Sequence, residues 1–365
     1  MIANRPSAGT KLDDLETPCL GVDLEALDNN YSFVGAIYKD TSCKMRQHAK
    51  NVKSPILLQR QFDAGGTNNG VCVAKVSEAE VMLEGGIKDI LITSQIVGEA
   101  KVNRLAHLAD LGNIKVCVDN ADNLRSLSRA AETASTVIGV LVEVDTSMRR
   151  AGVRTPEEGV DLAKLAITLP GIAFMGVMSH QSISESPDRE TRFTEGIRYI
   201  NKCLKVKHAI EREGISVDIV SSGETFTIDV AVDIPEVTEV EGGTYALMGY
   251  NELYMDYFRI AVKVLTSVIS VDGSVASIDA GMRCLGAPMG RMPRVENNVN
   301  IKFDKMLDFG SILNFEDGGP LRIGDKLLLE SAQQDVLVNR WDHFVAIRDG
   351  IVKAVWEIPA RGCHH

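Results

Sequence analysis

Before residue 250 the chain alternates short apolar runs with amphipathic ones about eight times over, and few folds tolerate that rhythm. The runs at 70–74, 89–93, 115–119, 137–145, 172–179 and 217–221 read as strands. Between them, 77–84, 97–111, 121–134, 156–168 and 189–214 carry helix spacing, and Gly85-Gly86 and Gly214 stand as stops. Ile90-Leu91-Ile92 shows no polar alternation, as expected of a parallel strand buried on both faces. Alternating strand and helix implies parallel βαβ units, and about eight of them fit a closed (β/α)8 barrel better than an open sheet. In a barrel the functional groups sit just past the strands. This register holds His48 and Lys50, 93–95, Asp119, 145–150, His180 with Gln181, and 221–225.

The ends of the chain have a different texture. Thr17 to Asp23 reads as a short strand, and 24–38 as a helix with Leu24, Leu27, Tyr31 and Val34 on one face. After Asn251, strands at 260–271, 274–279, 326–330, 336–339 and 344–347 follow one another with Gly and Pro between and almost no helix signal. The predicted architecture is α/β: an N-terminal segment over 1–24 that partly joins the later sheet, a barrel over 25–255 and a C-terminal β-rich domain over 256–365. A chain of 365 residues is long enough for that division.

Composition narrows the function. A formal charge of −11 argues against nucleic acid or an anionic membrane as partner, while leaving room for a local basic site. Seven dispersed cysteines without a C-x-x-C pair suit reduced intracellular thiols, so a cytoplasmic location is expected. The terminal His364-His365 resembles the remnant of an expression tag and is set aside here.

Arg46-Gln47-His48-Ala49-Lys50-Asn51-Val52-Lys53 packs four basic groups into one segment. As a strand end it would put Arg46, His48 and Lys50 on one face, where positive neighbours and desolvation lower the basicity of a lysine. A lysine so placed suits covalent chemistry with a carbonyl, and a solvated basic turn is the plainer alternative. Ser221-Ser222-Gly223-Glu224-Thr225 and Gly242-Gly243-Thr244-Tyr245 are small, hydroxyl-bearing turns after adjacent strands, either ordinary turns or two halves of a phosphate cradle. Arg149 and Arg150 follow a buried strand, where one could face an anionic oxygen. His180 is either a packed ring or a site group. Gln333 and Asp335, two apart on an expected strand, could offer oxygens to Mg²⁺ or Mn²⁺, or be a hydrogen-bonded strand end.

These landmarks, in this order, resemble the pyridoxal-phosphate enzymes with the alanine-racemase-type barrel. Within them the likeness is to the D-threonine aldolase, D-3-hydroxyaspartate aldolase and D-serine dehydratase group. It is carried by Arg46-x-His48-x-Lys50-x-x-Lys53, Thr17-Pro18, Val76-Ser77-Glu78-Ala79-Glu80, Glu143-Val144-Asp145 through Arg150-Ala151-Gly152-Val153, and Ser222 to Thr225. Gly243-Thr244-Tyr245, Asp279-Ala280-Gly281 and Arg348-Asp349-Gly350 continue it. The resemblance implies pyridoxal 5′-phosphate as cofactor and Lys50 as its Schiff-base lysine. It also implies Arg150 at the phenolic oxygen, His180 beside the ring and His48 among the cofactor-binding residues. Ser222, Gly223, Glu224, Thr225, Gly243, Thr244 and Tyr245 would form the phosphate turns. It further implies a homodimer with a small amino acid as substrate.

The departures bear on the reaction. Gln333-Gln334-Asp335 stands where the group carries its metal pair, and Ser186, beside Glu185, where the aldolases carry a histidine. Lys50 and His180 are the candidate catalytic groups. The leading expectation is a lyase cleaving D-3-hydroxy amino acids to glycine, or a substituted glycine, and an aldehyde. β-Elimination by a dehydratase, racemisation or epimerisation, and a non-catalytic pyridoxal-phosphate-binding protein are the competing ones. A second substrate carboxylate would need a cation, for which Arg149, Arg283 and Arg291 are candidates.

Overall fold

A computed structural model describes residues 5–181, 183, 188–287, 290–315 and 321–365. Ser186 and Glu185, expected beside the substrate hydroxyl, lie outside these residues. The chain divides into two compact units, one of 32–50, 55–243 and 363–365, the other of 1–31, 51–54 and 244–362.

After β1 (Cys19–Asp23) and the helix α1 (Leu24–Tyr38), the first of these units is a closed barrel. Its strands are β2 (Lys44–His48), β3 (Thr67–Val73), β4 (Asp89–Ile92), β5 (Asn113–Val118), β6 (Ile138–Glu143), β7 (Ile172–Ser179), β8 (Ile219–Ser222) and β9 (Glu239–Val240). All are paired parallel. Between them run α2 (Pro55–Ala64), α3 (Val76–Glu84), α4 (Glu99–Leu111), α5 (Ala121–Ala134), α6 (Pro156–Ala166), α7 (Arg189–Arg212) and the short α8 (Ile228–Ala231). The helix starts have local causes. Asn120 accepts from the amides of Asp122 and Asn123, and Thr155 with Glu158 closes a capping box ahead of Pro156.

Side chains two apart along these strands stack in layers inside the barrel. At the floor, Arg46 donates to Glu239 at 2.9 Å and also bonds Asp89, which Lys115 reaches at 2.9 Å. Gly70 makes room here, because a Cβ would collide with the Arg46 guanidinium and the Asp89 carboxylate. Above lies an apolar layer of Cys72, Leu91, Cys117, Leu141 and Met178, all fully buried. One step further up β4 and β6 come Thr93 and Glu143, while His48 and Glu241 lie two residues past Arg46 and Glu239.

The other unit is a mixed sheet in the order β13-β14-β11-β10-β1-β16-β17. Here β10 is Val262–Asp272, β11 Val275–Ile278, β13 Ile301–Met306, β14 Ser311–Phe315, β16 His343–Arg348 and β17 Ile351–Glu357. Two further strands, β12 (Arg294–Val295) and β15 (Lys326–Glu330), extend it from β10. β1 joins it as expected, antiparallel to β10 and parallel to β16. Asp349 and Gly350, at φ 53° and 68°, make the tight turn between β16 and β17.

One expected strand is wrong. Of residues 336–339, the first three belong to a helix, α9 (Gln334–Val338), in which Leu337 and Val338 are buried, and Asn339 is its C-cap. A four-residue apolar run does not distinguish the two periods. No helix among the described residues is long and apolar enough to cross a membrane.

The floor network makes a stability prediction. Arg46→Met would leave Glu239 with only Asn68 at 2.7 Å, while Asp89 keeps Lys115. A buried partner removed in this way costs about 3 kcal/mol. The loss should appear as a lower urea midpoint with an unchanged slope.

Candidate active site

β2 ends at His48, and the chain then tightens into a 3-10 turn over Ala49–Asn51 that carries Lys50. Lys50 is therefore not a strand residue, and the expectation of three side chains on one strand face holds only for Arg46 and His48. The backbone nitrogen of His48 donates to Gly242 O at 2.8 Å, and its Nε2 lies 3.2 Å from Thr93 Oγ1. Lys53 takes another course. It is buried at φ 52°, and its carbonyl accepts from Ala360 N at 3.1 Å.

A cavity of about 380 Å³ opens at the strand ends of the barrel, lined among others by His48, Lys50, Thr93, Arg150, His180 and Glu241. Arg150 comes from the loop after β6, where Gly152 N donates to Asp119 Oδ2 at 2.9 Å. Gly152 has φ 100°, and a Cβ would lie 2.6 Å from Asp145 N, so the loop requires glycine there. The guanidinium of Arg150 is 3.9 Å from Glu143, whose carboxylate accepts from Gln95 Nε2. Burial raises the pKa of Glu143, against the pull of Gln95 and Arg150.

His180 follows β7, and its carbonyl accepts from Thr146 Oγ1 at 2.8 Å. Burial first, then the positive charges of Lys50 and Arg150, push the imidazole pKa down to about 3. The ring is neutral at physiological pH and so presents an acceptor nitrogen.

The two hydroxyl-bearing turns meet. Gly243 N donates to Thr225 Oγ1 at 3.3 Å. Ser222 Oγ lies 2.8 Å from Ser179 Oγ, and Gln181 bridges Ser222 Oγ at 3.5 Å and Thr227 Oγ1 at 3.1 Å. Gly223 holds φ 118° between them. Glu224 Oε1 is buried with no hydrogen-bond partner among the described residues, and burial raises the pKa of this carboxyl to about 8 despite the opposing charge of Lys50. Thr244 starts the 3-10 turn Thr244–Ala246. Tyr245 is buried in the β-rich unit, its ring 6.2 Å from Tyr31 and 5.8 Å from Phe258.

Sequence reasoning missed Glu241. It is fully buried, accepts from Ser221 Oγ at 2.7 Å, and has its pKa raised to about 8 by burial. A signal existed, because Glu241 lies two residues past Glu239 and must share its inward face. His365, set aside above, also lines the cavity, and its carbonyl accepts from Ser77 N.

A sequence profile described as "Alanine racemase, N-terminal domain" matches residues 22–251. The chain belongs to that family. It is 33% identical to a 3-hydroxy-D-aspartate aldolase of Paracoccus denitrificans (strain Pd 1222), over 97% of this chain and 94% of that one. It is 33% identical to a D-threonine aldolase of an Arthrobacter species, over 97% and 95%. The crystal structure of D-threonine aldolase from Filomicrobium marinum superposes with a TM-score of 0.94 at 30% identity, covering 99% of this chain and all of that one.

The alanine racemase family's barrel and the residues at its mouth fit pyridoxal phosphate. An amine, a guanidinium and a neutral imidazole converge, and paired hydroxyl turns flank the orphaned Glu224 oxygen. Gln333 and Asp335 do not have the strand geometry expected of a metal pair. Gln333 is the N-cap residue of α9 rather than part of a strand, so spacing by two no longer puts the pair on one face. Asp335 Oδ1 accepts from Val336 N at 2.8 Å. No group of three or more His, Cys, Asp or Glu suited to a metal occurs among the described residues.

Two titrations check these assignments in cofactor-free protein. The His180 ring proton shifts should stay flat from about pH 5 to 8, where an ordinary histidine titrates. Glu241 binds a proton in the folded state that the unfolded chain releases above its ordinary 4.5. Its contribution to stability is complete below that value and is lost as pH rises through about 8. Glu241→Gln should therefore flatten the fall in stability across this window, read from urea midpoints.

Proposed function

We propose that this chain is a pyridoxal-phosphate-dependent carbon–carbon lyase. Its substrates are D-3-hydroxy amino acids, and its products glycine, or a substituted glycine, and an aldehyde. The observation that supports it is the convergence of Lys50, Arg150 and His180 on one cavity, in a chain related over nearly its full length to two aldolases.

Pyridoxal phosphate supplies an electron sink that makes a bond to the substrate α-carbon breakable. Lys50 would anchor the cofactor through its amine. Arg150, steadied by Glu143 and the Asp119–Gly152 contact, would offer its charge to the cofactor's phenolic oxygen. His48 and His180 would join the cofactor-binding groups, and His180, neutral at physiological pH, could accept a proton without adding a competing positive charge. Ser222, Gly223, Glu224, Thr225 and Gly243 would hold the phosphate through amides and hydroxyls. Glu224, at a pKa of about 8, reaches neutral pH protonated and able to donate to a phosphate oxygen. All seven cysteines are free thiols, which supports a cytoplasmic location, and the family resemblance supports a homodimer.

The test is product analysis with D- and L-3-hydroxy amino acids. The expected outcome is aldehyde with glycine from D-substrates only, and loss of both the visible cofactor absorbance and aldehyde release in Lys50→Ala. Ammonia with an oxo acid and no aldehyde would overturn the lyase in favour of β-elimination.

A further inference from the structure

The cavity extends past the candidate cofactor groups to the loops after β3 and β4, where Lys75, Ser94, Gln95 and Lys101 line it. Lys75 precedes α3, and Lys101 stands in the first turn of α4. Both side chains are exposed to the cavity mouth. Neither ammonium pairs with a carboxylate among the described residues. The nearby acids are otherwise engaged. Glu78 accepts from the amides of Ala74 and Lys75, and Glu80 pairs with Arg104 at 2.6 Å. Glu241 is the one acidic side chain on the cavity wall among the described residues.

On the reading above, Lys50 and Arg150 serve the cofactor, and its phosphate goes to the turns after β8 and β9. In barrel order those turns adjoin β2 on the side away from β3 and β4. Lys75 and Lys101 are then surplus positive charge on the opposite wall. A 3-hydroxy amino acid with a methyl side chain has nothing to offer two ammonium groups. One with a second carboxylate does. Of the arginines expected for that duty, Arg283 is committed to Asp308 at 2.9 and 3.0 Å and lies over the Phe309 ring.

We infer that Lys75 and Lys101 form a carboxylate-binding wall that makes dicarboxylic 3-hydroxy amino acids, of the 3-hydroxyaspartate type, the preferred substrates of this chain. Ser94 and Gln95 add polar groups on the same wall. The inference rests on the lyase reading for its substrate, and on the cavity alone for its ligand chemistry.

The experiment compares the wild-type holoenzyme with Lys75→Ala/Lys101→Ala and with Lys75→Arg/Lys101→Arg. Calorimetry first measures malate against lactate, which lack the amine and cannot react. Wild type should bind malate more tightly, the alanine pair should lose about tenfold, the sum of two solvent-screened ion pairs, and the arginine pair should restore it. Kinetics then follow the ratio of kcat/KM for D-3-hydroxyaspartate to that for D-threonine. It should fall about tenfold in the alanine pair, through KM rather than kcat. A cofactor dissociation constant raised tenfold with the substrate ratio unchanged would overturn the inference and give the lysines to the phosphate. An unchanged malate affinity would also overturn it. If malate binding falls in the alanine pair but no amino acid yields an aldehyde, the carboxylate wall stands and the lyase reading fails alone.

Discussion

Arg46 and Glu239 face each other across the seam where the barrel closes. That seam is thin in backbone terms. β2 meets β9 only at Lys44–Glu239 and Met45–Val240, and β9 meets β8 at a single pair, Ser221–Glu239. The buried ion pair supplies the side-chain contact that the short ladder lacks, with Asp89 and Lys115 extending it to β4 and β5. Burying charge is costly unless every partner is present. Its benefit here is register, because a slip of one residue on β2 would turn His48 out of the barrel. The same two strands carry His48 and Glu241 two residues further on, so the contact at the floor fixes which side chains reach the mouth.

Between floor and mouth lies an apolar layer, with a closely paired network below it and looser charges above. Below it, Arg46, Asp89, Lys115 and Glu239 answer one another. Above it the pairing is looser, with Arg150 3.9 Å from Glu143. Glu241 and Glu224 are buried without cations close enough to ionise them at neutral pH, and His180 is kept neutral by burial and two positive neighbours. Groups whose surroundings push their pKa values apart in this way are what a site needs in order to hold an anion and move a proton at one pH.

Much of this was legible in the sequence, and the reasons differ by element. α1 and α5 coincide with their expected bounds because four apolar positions or a clear N-cap define them. β1 was legible as a strand of the later sheet. By contrast, α2 lay hidden behind the basic run. β13 was also missed, because Lys302, Asp304 and Lys305 break the apolar pattern of a strand with one solvated face. The site was legible where residue type alone carries chemistry, as at Lys50, Arg150 and His180. It was not legible where the meaning of a residue depends on which way a strand faces. Glu241 in Glu239-Val240-Glu241 reads as solvated until the barrel closes and turns both acids inward.

The same limit explains why two lysines escaped notice. Lys75 and Lys101 sit on loops before and within helix starts, where a lysine is ordinarily solvent-exposed and of no consequence. Only closure of the strands brings the loops after β3 and β4 onto the cavity that holds Lys50. Arginines were the natural first choice for a second carboxylate, since a planar fork suits bidentate recognition. Arg283 shows why residue type is a poor guide by itself, because its fork is already filled by Asp308 and its face by Phe309. A lysine that gains no acid partner in the fold retains its capacity for a ligand. On the proposed reading, recognition at the mouth of this barrel falls to the charges that folding leaves unanswered.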